Sequence, residues 1–297
     1  TARSPSRTLA PRRRFPVSRS AAPARAGGYV YRRHAWPVRV MHWINVVALT
    51  VLFMSGLQIF NAHPALNFGK SSYNGVSPVL EIGARLGANG QPQGVTRVLG
   101  AEFDTTGWLG VVFDDKRPIP SAFPPWMMLP GPQWLSMARS WHFFFAWLFV
   151  VNGLTYVLYA LGSRHLARDL VPTRDELAGI GTSIRDHLRL RHPQGEAAKR
   201  YNVLQKIAYL AVIFVLLPGA ILMGFAMSPW LDAVLFPGWV DVVGGRQSAR
   251  SLHFIIAWLL VAFVLVHVFQ VIVTGLWNNL RSMITGRYRV APEVPHA

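Results

Sequence analysis

Cysteine is absent from the 297 residues. Its absence excludes disulfides, thiolate-held iron–sulfur clusters and the C-x-x-C-H attachment of a c-type haem. Charge is scarce too: 14% of the residues are charged against 52% hydrophobic, and the apolar residues fall in long blocks. A polytopic membrane protein fits this composition better than a soluble enzyme does. Acidic residues are the rarer sign, 13 against 30 basic, which leaves a formal net charge of +17. In a soluble protein that imbalance would suggest a nucleic-acid partner; where the charges lie removes the need for one. The basic arm at 1–31 has no acidic residue and no apolar run, so it is read as a disordered tail against anionic headgroups, not a secretory signal.

What is present is a set of four apolar stretches, each near the length of about 20 residues that crosses a bilayer as a helix. They are predicted at about 38–60, 140–161, 203–227 and 251–276. Trp36 and Trp43 mark an interfacial belt, Pro37 suits a helix start, and Pro218 with Gly219 predicts a kink in the third span. Ser55 and Gly56 permit close approach of a helix or cofactor near the far end of the first span. The 61–137 segment is Pro/Gly-rich and too broken to span again, so it is read as an outer cap or docking surface. In the 162–202 loop, Thr173 begins a Thr-x-x-Glu capping box, predicting a short surface helix over 173–190. A tail occupies 286–297. The predicted fold is an all-α integral membrane protein, a four-helix bundle whose core domain covers 32–285.

Basic residues orient the bundle. The residues up to Arg39, the 162–206 region and the residues after Trp277 hold 22 of the 30 lysines and arginines, so both termini are expected on the cytoplasmic side of a bacterial inner membrane.

Histidine then becomes informative. His253 and His267 interrupt the fourth span fourteen residues apart, which puts them on nearly the same face and roughly 21 Å apart along the axis. A lipid-embedded histidine needs a partner, and the plain alternative is a hydrogen bond to a neighbouring helix. Orientation puts His42 at the inner level with His267, and His142 at the outer level with His253. Two couples at two depths suit two haems, each clamped between neutral imidazoles and held without a covalent bond. The macrocycle edges would lie closer than the ligands, compatible with electron hopping. His34, His63 and His165 are rivals near the surfaces; His187, His192 and His296 are read as surface residues.

Arg39, Arg139 and Arg250 each precede one of these histidines and are candidate partners for haem propionates, or else ordinary interfacial anchors. Asn45, Asn202, Gln205 and Lys206 gather at the inner level and are candidate quinone contacts. Against that stands a structural role, with Lys206 snorkelling and the amides bonded to backbone. Asn152 is a less specific polar candidate.

The RVMHWIN, RSWHFFFAWLFVVNG, NVLQK and RSLHFIIAWLLVAFVLVHV segments resemble the bacterial di-haem cytochrome b family. That family includes the b-type subunits of nickel–iron hydrogenase, formate dehydrogenase-N and thiosulfate reductase, and the bacterial cytochrome b561 proteins; the likeness is nearest the thiosulfate-reductase type. The resemblance implies a membrane anchor passing electrons between a quinone and a partner oxidoreductase, often one with a molybdenum cofactor. It puts the haem ligands on His42, His142, His253 and His267. The basic arm and long outer loop depart from the formate dehydrogenase subunit and leave the partner open. Competing readings are a stand-alone quinol oxidase of the cytochrome b561 kind and a proton or metal transporter using intramembrane histidines, which would be colourless.

Overall fold

The computed structural model describes residues 28–72, 75–88, 90–131, 133–189 and 201–290. Four helices are long and apolar enough to cross a membrane: Trp36–Asn61, Leu135–Gly162, Val203–Met227 and Arg246–Val273. The first span packs along the second, and the last half of the third packs along the fourth. Between these two helix pairs contact is sparser, so side chains rather than backbones meet across the gap. Aromatic pairs do much of that bridging, with Phe53 edge-on to Trp258 at 5.3 Å and Phe60 stacked on Phe254 at 4.6 Å.

Each span starts where its sequence allows. Pro37 occupies the first turn of the first span, where a missing N–H costs nothing. Asn202 and Gln205 close a reciprocal capping box at the head of the third. Within the third span a widened turn at Val212–Leu216 precedes Pro218. Proline lacks a donor and crowds the carbonyl four residues back, and the wider turn relieves both.

The second and fourth spans begin earlier than expected, at Leu135 rather than near 140 and at Arg246 rather than near 251. Apolarity marks where lipid begins, whereas these helices run on beneath a folded cap. The cap is the 61–137 segment, and it is β-rich. Strands β2 (Ala65–Leu66), β3 (Leu80–Leu86), β4 (Pro92–Val98) and β5 (Ala101–Asp104) form an antiparallel sheet in that order. Strands β6 (Gly110–Asp114) and β7 (Arg117–Ser121) form a hairpin. The all-α expectation therefore holds for the bundle and not for this segment, where charged and Gly/Pro positions mask the alternation.

The cap is seated by one hydrophobic cluster that joins Leu57 and Phe60 of the first span to Leu66, Ile82, Ala122, Phe123 and Met128. Each such side chain contributes about 1.5–3 kcal/mol on full burial. Polar latches fix the angle: Ser251 Oγ donates to the Asn67 carbonyl at 2.6 Å, and the Gly69 N–H donates to Ser248 Oγ at 2.8 Å. Gly245 has φ of 106°, and a Cβ there would lie 2.6 Å from the Gly69 carbonyl oxygen. Only glycine lets the two backbones approach so closely. Before the second span the chain dips beside the first, where the Leu129 N–H faces the Met54 carbonyl at 3.4 Å. Buried Gln58 meets this irregular backbone with its amide oxygen toward the Gln133 and Trp134 N–H groups and its nitrogen toward the Gly131 carbonyl. Non-helical backbone near lipid needs such partners.

At the other end of the bundle the segment before the first span joins the segment after the last. β1 (Tyr29–Arg32) pairs antiparallel with β8 (Arg287–Val290), so residues 29–31 of the expected disordered arm and the start of the tail are ordered together. Residues 1–27 and 291–297 lie outside the described residues. Arg33 stacks over Tyr288 at 4.6 Å. The predicted surface helix is present as two pieces, Arg174–Ala178 and Ile180–Leu188, broken at Gly179, with the Thr173–Glu176 box formed.

Glu176 reaches buried Lys206 at 2.9 Å, and that ammonium holds its carboxyl below the ordinary value of 4.5. A depressed folded value means the stabilisation is complete above the unfolded pKa and is lost as pH falls through the lower folded one. Glu176→Gln should leave the ammonium without its counter-charge and destabilise by about 1–3 kcal/mol at neutral pH. Thermal unfolding in detergent measures this, and the gap between variant and parent should close under strong acid.

Candidate functional site

The four span histidines meet two by two across the gap between the helix pairs. His42 and His267 have ring centroids 6.4 Å apart with ring planes at 63°. His142 and His253 repeat the arrangement at 6.2 Å and 64°. An iron ligated by both rings, at a metal–imidazole distance of about 2 Å on each side, requires centroids roughly 6 Å apart. Among the described residues no group of three His, Asp or Glu side chains gathers as a metal site. Two facing imidazoles would be enough to hold a porphyrin, which would bring the other ligands of its iron itself.

Near the cap, the ring tautomers are fixed by what surrounds them. His253 Nδ1 lies 2.9 Å from the Ala220 carbonyl, which can only accept, so Nδ1 carries the proton. His142 Nδ1 lies 3.0 Å from Ser55 Oγ. That hydroxyl donates to the Val51 carbonyl at 2.6 Å and therefore accepts from the imidazole. Both Nε2 atoms keep their lone pairs for a metal. Gly56 makes room: a Cβ there would lie 3.4 Å from His142 Cε1. Gly224 faces His253 similarly, at 3.8 Å.

Aromatic rings pack the couple at the terminal end. Phe263 stacks on His267 at 5.9 Å and 18°, Tyr209 stands edge-on to it at 6.5 Å, and Trp43 stands edge-on to His42 at 5.5 Å. Rival histidines are occupied elsewhere. His165 pairs with Asp169 at 2.7 Å and His63 is exposed in the cap. Burial and the Arg33 guanidinium push His34 down to about 4, so it stays neutral at physiological pH. His192 and His296 lie outside the described residues, as does the side chain of His187.

The other sequence candidates are placed less as a group. Arg250 donates to the carbonyls of Ala65 and His63 and stacks on Phe60 at 5.4 Å, so it anchors the cap. Arg39 donates to the Ile284 carbonyl, and Arg139 is exposed over the Phe143 ring at 5.9 Å. Asn45 accepts from Asn152 at 2.7 Å, and Asn152 also donates to the Met41 carbonyl, which ties the first two spans together beside His42. Asn202 and Gln205 cap the third span, and Lys206 is held by Glu176. Lys206 is thus paired rather than snorkelling, and Asn45 bonds a side chain where Asn202 and Gln205 bond backbone. Sequence reasoning named Ser55 and Gly56 for close approach of a helix or cofactor, without the hydrogen bond to His142, and missed Phe53, Trp258, Ala220 and Gly224. Single small or aromatic residues in an apolar run carry no periodic signal.

Residues 33–286 match the family model described as prokaryotic cytochrome b561. The chain belongs to that family. It is 29% identical over 261 residues, covering 86% of this chain and 98% of the relative, to a protein of Azospira oryzae named as the protein-methionine-sulfoxide reductase subunit YedZ1. It is 22% identical over 272 residues, covering 87% of this chain and 85% of the relative, to a Cupriavidus necator protein named as a Ni/Fe-hydrogenase B-type cytochrome subunit. This chain is accordingly a multi-pass membrane cytochrome of the b type, in a family whose members include subunits of redox enzymes. Haem is the group the family implies, and the paired imidazoles, with open Nε2 atoms in the couple near the cap, fit it.

Gly56→Leu should push the His142 ring aside and lower the haem absorbance per protein while far-UV circular dichroism stays helical. Gly56→Ala needs only a shift of a few tenths of an ångström and should keep the pigment. Reduced-minus-oxidised spectra of the two variants measure this.

Proposed function

We propose that the chain is a di-haem cytochrome b passing electrons between the quinone pool and a partner oxidoreductase subunit. The observation that carries this reading is the pair of facing imidazole couples at opposite ends of one helix, each at haem-spanning separation. His42 with His267 would hold the haem toward the termini, and His142 with His253 the one beneath the cap. Haem supplies a one-electron carrier at each level when bound. The protein's part would be to supply the imidazole nitrogens of His42, His142, His253 and His267, exclude water and fix ring orientation, which would tune the potentials.

We take the termini as cytoplasmic, since 22 of the 30 basic residues fall on that side, in a bacterial inner membrane. The cap then faces outward over the His142/His253 couple and is where a redox partner would dock. Both curated relatives are named as subunits of redox enzymes, which supports a partner protein over a stand-alone quinol oxidase. The thiosulfate-reductase-type resemblance adds a molybdenum-cofactor enzyme as the partner class. Quinone would approach the terminal end, near Asn45, Asn202, Gln205 and Lys206. Propionates would find Arg39, Arg139 and Arg250 at the two membrane surfaces.

Potentiometric titration of alanine variants tests the ligand assignment. His142→Ala and His253→Ala should each lose one and the same haem, and His42→Ala and His267→Ala the other. Two intact haems in any of these variants would contradict it. For the quinone site, Asn202→Ala and Gln205→Ala should slow quinol-dependent haem reduction and alter inhibitor sensitivity. Unchanged rates and sensitivity would leave those residues with their capping role alone.

A further inference from the structure

The two histidine couples are alike in ring spacing and unlike in what holds their outer nitrogens. Beneath the cap, both Nδ1 atoms have an oxygen partner, the Ala220 carbonyl at 2.9 Å for His253 and Ser55 Oγ at 3.0 Å for His142. At the terminal end the rings of His42 and His267 are packed by Trp43, Phe263 and Tyr209, and among the described residues neither ring makes a hydrogen bond. The main-chain carbonyl of Ala220 has no side chain to vary. Ser55 does.

Ser55 is fully buried, one residue before the glycine that makes room for the His142 ring. Its single hydroxyl proton is directed to the Val51 carbonyl at 2.6 Å, with Leu52 a longer alternative at 3.2 Å. The oxygen therefore turns a lone pair toward His142. The result is a relay in which the first span's backbone polarises a serine and the serine polarises the imidazole N–H, with the Leu52 carbonyl as a second acceptor beside that ring. An imidazole that donates through Nδ1 is a more basic ligand through Nε2, and a more basic ligand favours the oxidised iron.

We propose that Ser55 is a positioning residue for the haem beneath the cap. It accepts from the His142 N–H beside the Leu52 carbonyl and holds that haem's midpoint potential below the value a merely packed imidazole would give. This rests on the di-haem reading and deepens it, because among the described residues the couple at the terminal end has no equivalent hydrogen-bond chain. A simple structural role for Ser55, bonding back to its own helix, would not move a potential.

The test is an optical redox titration of the full-length protein in lipid nanodiscs, comparing the parent with Ser55→Ala and Ser55→Thr. Ser55→Ala should retain both haems and raise one midpoint, the one that His142→Ala abolishes, while the other stays fixed. Ser55→Thr keeps the hydroxyl and should restore the parent value. Loss of the cap-side haem in Ser55→Ala with retention in Ser55→Thr would equally support the positioning role. Both midpoints unchanged in Ser55→Ala, or the same change in the alanine and threonine variants, would overturn it. A parent protein without two haems would instead sink the di-haem reading itself, so the two failures are distinguishable.

Discussion

Everything in this fold depends on holding pairs of imidazoles opposite one another in an apolar interior. A histidine in lipid is costly unless its polar nitrogens are used, and two nitrogens per ring have to be satisfied separately. Near the cap one nitrogen of each ring goes to protein oxygen, leaving the other aimed into the gap between helix pairs. The helices accommodate this by packing in twos, first with second and third with fourth, and the rings of His42, His142, His253 and His267 meet between the pairs.

The two ends of the bundle solve different problems. At the cap, long helices leave the lipid and are clamped by Arg250, Ser248 and Ser251 onto backbone carbonyls and N–H groups of the β-rich segment. Those latches fix the fourth span's height, and with it His253, against the first span. At the terminal end, the β1–β8 pairing and the Arg33 stack close the chain on itself, while Asn152 and Asn45 hold the first two spans in register beside His42.

Much of this was legible in the amino-acid order because the membrane simplifies the physics. Length and apolarity alone mark the spans, lysine and arginine counts order their direction, and depth follows for the span histidines, which is why the His42/His267 and His142/His253 couples can be paired from the sequence. The cap resisted that treatment. Its strands carry Arg85, Arg97, Glu81 and Glu102 in cross-strand ion pairs, so hydrophobic alternation is weak and long-range pairing decides the fold. Polar residues at the membrane surface were the other blind spot. Arg250, Asn202, Gln205 and Lys206 look identical in sequence whether they serve a ligand or the fold, and only their observed partners reveal anchoring and capping.

The account stands or falls on axial ligation. Purified protein should be assayed for haem per chain, and the low-temperature electron paramagnetic resonance spectrum of its oxidised form recorded. Two b haems per chain, both low-spin with paired-imidazole signatures, is the predicted result. A colourless preparation despite ample haem supply, a single haem, or a high-spin iron with one protein ligand would contradict it.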